Sequence, residues 1–223
     1  MKASPSGLPR FMGRAASWLA LLALALPAVG RAQDAEARYR ALVVAARAGQ
    51  ASVDWLAMRL AYADRPGYAS TGEGDETLHD QAMRKAFRSA DWAGAIAEAK
   101  AVFDIDFVDS EAHLIAAMAY RRSGDEVSAD REQAIATGLL TSIETGSGTS
   151  AQTAFTVISV KEEYVLMATH GRKVVRQSLM KIDGHSYDVL ETLDKAGSPM
   201  SYWFQIDRVL AAEAHVFQLP SKP

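Results

Sequence analysis

The sequence predicts an α+β protein in which an N-terminal antiparallel helical array is followed by a small β-α-β-β-β module ending in an antiparallel meander. Three observations predict it. Ser89-Ala90-Asp91 with Ala95 recurs as Ser123-Gly124-Asp125 with Ala129 at an offset of about 34 residues, the period of stacked helix pairs. The helical spacing of apolar residues then stops in a Ser/Thr/Gly-rich stretch over residues 141–152, which is expected to be a linker. Beyond it, short apolar runs separated by Asp183-Gly184 and by Ala196-Gly197-Ser198-Pro199 have the rhythm of strands and turns.

At the N-terminus, Lys2, Arg10 and Arg14 precede the apolar run from Ala15 to Val29, which ends in the small-residue site Gly30-Arg31-Ala32. This pattern predicts a secretory signal peptide over residues 1–32 and an exported protein, periplasmic or extracellular. The rival is a membrane span of about 20 apolar residues. Ser17 and Pro27 interrupt the run and Gly30 with a polar segment follows it, so no stable membrane insertion is expected once the leader is cleaved.

The chain has no cysteine, which removes disulfides, thiolate metal ligands and cysteine nucleophiles. With 49% hydrophobic and 23% charged residues, its stability rests on an ordinary core. Residues 1–32 hold four basic residues and no acidic one, so their removal moves the net charge from −3 to about −7. Such a chain repels phosphate backbones, and nucleic acid is not an expected partner.

Helices follow in order over the region 33–140. Tyr39, Leu42, Val43 and Ala46 predict a helix from Asp34 to Arg47, stopped by Gly49. A second is expected from Ser52 to Ala63, with Ser52 as its cap and Arg65-Pro66-Gly67 as its end. Thr71 to Asp75 is expected to be an exposed loop. The repeat then supplies four helices: Glu76 to Ser89, Trp92 to Phe103, Ser110 to Ser123 and Glu126 to Leu140.

The second pair resembles the tetratricopeptide pattern, with Ala117, Tyr120, Ala129 and Ala136 where small residues and an aromatic allow close helix packing. The first pair keeps Ala95 but departs at Met83, Ala86 and Phe107, making it a degenerate unit. Two units bury little surface by themselves, so flanking elements are expected to cap the stack. On this register the inner face carries Arg84, Arg88, Arg121 and Arg122, with Glu111, Leu114 and Met118 beside them. Guanidinium forks suit planar carboxylates, which makes the face a candidate for a protein or acidic peptide partner. The plainer reading, and the favoured one, is a solvated surface whose arginines pair with nearby Asp and Glu.

In the module spanning 153–210, Phe155 to Ile158 is a short strand and Ser159 with Glu162 forms a capping-box pattern. The helix it opens is expected from Val160 to His170, with Tyr164, Met167 and Ala168 facing inward and Gly171 at its C-terminal end. Strands are expected over Lys173 to Ile182, Ser186 to Leu193 and Tyr202 to Ile206. Residues 211–223 are expected to be a tail.

These residues also carry a family resemblance. The run from Thr153 to Tyr164 (TAFTVISVKEEY), then Gln177-Ser178-Leu179, Tyr187-Asp188-Val189-Leu190 and Trp203-Phe204-Gln205-Ile206-Asp207, resembles the bacterial family called Domain of Unknown Function 4919. Asp54, Met58, Arg59, Leu60, Tyr62 and Tyr68 resemble its N-terminal segment. The resemblance implies an exported protein and carries over no catalytic residue.

Candidate chemistry is sparse. Glu163 beside Tyr164 would serve proton transfer if burial raised the carboxyl pKa, although carboxylates in a first helical turn also offset the helix dipole. His170 and His185 would serve as ligands or an acid-base pair only if folding brought them to Asp183 or Asp188. Ser178-Leu179-Met180-Lys181 has the Ser-x-x-Lys spacing of penicillin-binding enzymes, but in a strand and without companion motifs. Asp104, Asp106 and Asp109 lack the glycine and terminal glutamate of a calcium loop and belong to a turn. No cofactor or metal is expected. The sequence favours a protein- or peptide-binding scaffold of the bacterial envelope over an enzyme; the alternative is an envelope hydrolase or small-ligand-binding protein with its site between the halves.

Overall fold

Helices dominate the first two thirds of the described chain and a four-stranded mixed sheet the last third. The computed structural model describes residues 22–70 and 75–218, with side chains over 33–70 and 76–214. The leader expected over residues 1–32 and the loop expected at Thr71 lie largely outside these residues. Eight α-helices are present among the described residues: α1 (Leu22–Arg47), α2 (Trp55–Ala63), α3 (Asp75–Arg88), α4 (Trp92–Ile105), α5 (Ser110–Ser123), α6 (Glu126–Ile143), α7 (Val160–Thr169) and α8 (Asp207–Gln218). The strands are β1 (Phe155–Thr156), β2 (Lys173–Ile182), β3 (His185–Leu193) and β4 (Pro199–Gln205).

Helix starts are set by aspartates. Asp54, Asp91, Asp109 and Asp125 cap α2, α4, α5 and α6, each accepting from the backbone N–H three residues on. Each cap satisfies a donor that the helix itself leaves free and contributes about 1 kcal/mol. The cap expected at Ser52 is thus corrected: residues 52–54 precede the helix without helical geometry, and the Asp54 carboxylate bonds the Ala57 N–H.

The offset seen in the sequence reappears in these caps. Asp91 and Asp125 occupy equivalent places, preceded by Ala90 and Gly124, both at positive φ, and followed by Ala95 and Ala129, both fully buried. Along the array α3 packs on α4, α4 on α5 and α5 on α6, while α1 packs on α2 and α2 on α6. Alanines at 95, 99, 112, 116 and 119 let the helix axes approach closely around Met58, Met83, Val102 and Leu139. Burying each large side chain contributes about 1.5–3 kcal/mol.

The sheet order is β1-β4-β3-β2, with β1 parallel to β4 and the other pairs antiparallel. Asp183 and Gly184, both at positive φ, make the tight β2–β3 turn, the geometry a two-residue hairpin requires. Residues 211–218, expected in a tail, form most of α8, whose Val209 enters the sheet core.

The two cores interlock. Leu140 and Ile143 of α6 enter the sheet core with Phe155, Leu166, Leu190 and Phe204, and Ile158 of the module enters the helical core. The stretch expected as a linker is held in this junction. Thr141 to Ile143 continue α6, the Gly148 N–H donates to Thr153 O at 2.7 Å, and its carbonyl accepts from the Trp203 N–H at 2.8 Å. Gly148 has φ +67, and a Cβ there would come within 2.5 Å of the Phe155 ring, so glycine is required.

Candidate ligand cleft between the helices and the sheet

Helix α2 is apolar apart from Arg59, whose side chain is 0% exposed. A buried guanidinium has to spend its donors, and this one does so across the junction. Nε donates to Glu162 Oε1 at 2.7 Å and Nη2 to Glu162 Oε2 at 2.6 Å; Nη2 also donates to Thr156 O at 2.8 Å, and Nη1 to Ser142 Oγ at 3.2 Å. Glu162 Oε2 further accepts from the Ile158 N–H at 2.8 Å, and the Tyr68 hydroxyl donates to Ile158 O. The start of α7 is thereby fixed against α2 and α6.

Beside this pair opens a cleft of about 300 Å³. Tyr62 and Tyr68 come from α2 and the loop after it, Glu76 and Asp80 from α3, Asp106 and Asp109 from the α4–α5 turn, and Ser159 and Lys161 from the start of α7. Lys161 Nζ reaches Asp109 at 2.5 Å, Asp80 at 3.1 Å and Glu111 at 3.6 Å. Arg84 Nη2 donates to Asp80 at 2.8 Å and Glu111 at 2.7 Å. Five carboxylates (Glu76, Asp80, Asp106, Asp109, Glu111) therefore crowd around two cations. Arg59 beside the cleft is spent on Glu162, and Arg65 lies over the Tyr39 and Tyr62 rings at 4.4 and 4.1 Å and within 3.7 Å of Glu36.

This imbalance appears in the proton affinities. Burial, then Asp109, pushes the Glu76 carboxyl up, and burial with Asp109 and Glu76 pushes Asp106 well up. Burial works against the Lys161 charge, but Asp109, Asp80 and Glu111 outweigh it and raise its pKa. The arrangement crowds carboxyl groups, Glu76 and Asp106 among them held toward protonation, into a concave, partly aromatic space. Among the described residues no group of three or more His, Asp or Glu is placed to hold a metal ion.

The residues singled out from sequence are spread over several places. Arg84 lies at the cleft, bound by Asp80 and Glu111, with its Nε buried and unpartnered. Arg121 pairs with Glu126 at 3.3 Å and Asp130 at 3.0 Å. Arg88 and Arg122 are exposed and form no ion pair among the described residues. Leu114 packs toward the sheet core, while Met118 is exposed. Helix α7 thus partly covers this side of α3 and α5, where Lys161 reaches Asp80 and Glu111.

On α7 the expected inward face is corrected. Glu162, Glu163, Leu166 and Met167 are buried, whereas Tyr164 is 42% exposed and Ala168 is exposed. Glu163 is 0% exposed and neither carboxyl oxygen has a hydrogen-bond partner; burial, then Asp188 and Glu162, pushes its pKa up to about 9. The Tyr164 hydroxyl donates to Gln177, and Gln177 donates to Asp188 at 2.5 Å. His170 pairs with Glu144 at 2.9 Å and His185 with Asp207 at 2.6 Å, with neither meeting Asp183 or Asp188. They flank opposite ends of β2, a ten-residue strand about 30 Å long, so they form no common site.

The sequence reading did not assign Arg59, Tyr62, Tyr68, Asp106, Asp109 or Lys161 to a site. The available signal was Arg59 itself, a charge between Met58 and Leu60 on an apolar helix, which has to meet a partner on burial.

Fold and cleft together define a class: α+β proteins in which a helical array and a mixed sheet share a junction that opens into a carboxylate-rich cleft. The chain belongs to the family described as Domain of unknown function (DUF4919), whose family model matches residues 52–215. That span includes the cleft residues from both halves. No curated protein matches the chain, and no solved structure does.

Proposed function

We propose that this is an exported binding protein that takes a cationic group, an amine or guanidinium on a small molecule or peptide, into the cleft at Glu76, Asp106 and Lys161. The observation that carries the reading is the surplus of five carboxylates over two cations around a 300 Å³ space beside the Tyr62 and Tyr68 rings. A cation entering there gains charge-assisted hydrogen bonds and contact with aromatic faces, and offsets the burial and, after it, the carboxylate repulsion that hold Glu76 and Asp106 toward protonation. The basic, apolar and small-residue pattern of residues 1–32 supports export to the periplasm or external medium. Equivalent caps at Asp91 and Asp125 support tetratricopeptide-like pairing of α3–α4 and α5–α6 as the scaffold.

A hydrolytic role for Glu163, Tyr164, His170 and His185 has less support, because Glu163 is sealed under α7 and the histidines lie apart. A second surface for an acidic peptide is favoured by one observation: exposed Arg122 lies one turn from exposed Met118 on α5.

Calorimetric titration with cadaverine and with an arginine-containing tripeptide tests the cleft. Binding weakened about tenfold by Asp106→Asn, at an unchanged unfolding midpoint, is the expected result. Equal binding by wild type and variant, or heat from neutral analogues alone, would overturn it.

A further inference from the structure

A pocket of about 350 Å³ lies away from the cleft, among α1, α4, α6 and the α4–α5 turn. Its character is the reverse of the cleft's. The floor is apolar, built from Phe103, Phe107 and Ile135, all buried. The rim carries three cations, Arg47, Lys100 and Arg131. Two carboxylates are present but already engaged: Asp104 accepts from Arg47 at 3.1 Å, and Glu132 is held by Arg131 at 3.2 Å and by His113 Nδ1 at 2.7 Å.

His113 holds Glu132 from behind. Its ring is fully buried and stacked on Phe103 at 4.0 Å between centroids. Nε2 faces the Phe107 carbonyl at 3.0 Å while Nδ1 faces the Glu132 carboxylate. Both nitrogens therefore face oxygen partners within the protein, which keeps the Glu132 carboxylate engaged from the interior side. Burial opposes the Glu132 charge, yet His113 and Arg131 hold its carboxyl below the usual range. Lys100 remains: it is exposed, has no carboxylate partner among the described residues, and lies 5.9 Å from the Tyr120 ring centroid.

We infer that this pocket is a second binding site, for a small organic anion with an aryl or branched-alkyl body. The apolar part would rest on Phe103, Phe107 and Ile135, and the anionic head would take Lys100 together with the outward donors of Arg47 and Arg131. The volume suits one six-membered ring and a short arm, being larger than the roughly 150 Å³ cavity that accepts benzene. An anion is specified by position as well as by charge: in an acidic chain, this is a place where an apolar floor is ringed by cations. The site is independent of the cation-binding cleft and stands or falls separately from it.

The test is a titration of the isotope-labelled protein, followed by NMR, with three probes of similar size: phenylacetate, 2-phenylethylamine and 2-phenylethanol. Phenylacetate should produce saturable shifts at Phe103, Phe107 and Ile135, and the other two should not. Lys100→Glu, an exposed change that leaves the fold intact, should weaken phenylacetate about tenfold, and added salt should weaken it further. Equal response to the amine, shifts located elsewhere, no saturation at millimolar probe, or an unaffected Lys100→Glu variant would each overturn the inference. Shifts at Tyr62 and Tyr68 with the amine would report on the cleft and not on this pocket, whereas phenylacetate shifts confined to those residues would overturn the inference.

Discussion

Arg59 and Glu162, from opposite halves of the chain, form a buried bidentate pair with both N–O distances below 2.8 Å. Arg59 also donates to Thr156 O of the sheet module, while Glu162 accepts from the Ile158 N–H within its own module. The junction is therefore a polar lock between two apolar cores. Arg59→Ala and Glu162→Ala should each destabilise by about 3–5 kcal/mol, because each strands a buried charge. The double variant should lose much less than the sum, since it strands none. Urea unfolding of the three variants measures the coupling, and additive losses would show that the pair does not act as a unit.

Glu163 sits one residue further along α7 with the opposite fate, buried without a partner. Its carboxyl is raised from 4.5 to about 9, so the folded state keeps a proton that the unfolded chain releases above pH 4.5. The stability linked to that proton is fully present below pH 4.5 and is lost progressively as pH rises toward about 9. Glu163→Gln mimics the protonated form and should match wild type near pH 5 while exceeding it at about pH 8. Each kcal/mol gained would raise Tm by about 2–4 °C. A wild-type melting temperature independent of pH over that window would contradict a neutral, buried Glu163.

Ala90 and Gly124 hold the same place in the two helix pairs, both at positive φ, 58° and 87°. Alanine is strained there by its Cβ, whereas glycine is not. Ala90→Gly should stabilise the protein by about 0.5–1 kcal/mol, and Gly124→Ala should destabilise it by a similar amount. Thermal melts of both variants decide this, and destabilisation by Ala90→Gly would mean that the turn relaxes to accommodate alanine.

Signals that act within a few residues were legible in the sequence. α5 and β2 span the predicted residues because a cap, a glycine stop or a two-residue turn marks their ends. What required tertiary structure was not legible. Tyr164 is expected inward and Glu163 reads equally as a first-turn carboxylate, because the pattern on α7 does not show that Arg59 arrives from α2 to draw Glu162 inward and turn that side of the helix to the core. Helix α8 was missed because Ile206-Asp207 closes a strand as readily as it opens a helix, and what holds the helix is the packing of Val209 into the sheet core. The cleft was invisible because its carboxylates come from α3, the α4–α5 turn and α5, and only folding brings them to one lysine from α7.

Gly138 lies inside α6, where glycine costs about 1 kcal/mol relative to alanine. The structure supplies the reason for retaining it: a Cβ at this position would fall inside the Trp55 indole, which packs directly on the helix backbone as α2 crosses α6. Gly138→Ala should therefore destabilise despite its better helix propensity, because forcing the indole aside costs about 1–3 kcal/mol. With Trp55→Leu, which vacates the space, the same substitution should become stabilising by about 1 kcal/mol. That change of sign separates close packing from propensity, and it is read by comparing unfolding free energies around the double-mutant cycle. If Gly138→Ala destabilises equally in both backgrounds, the indole is not what excludes a side chain, and the contact that holds α2 against α6 must lie elsewhere along Trp55–Ala63.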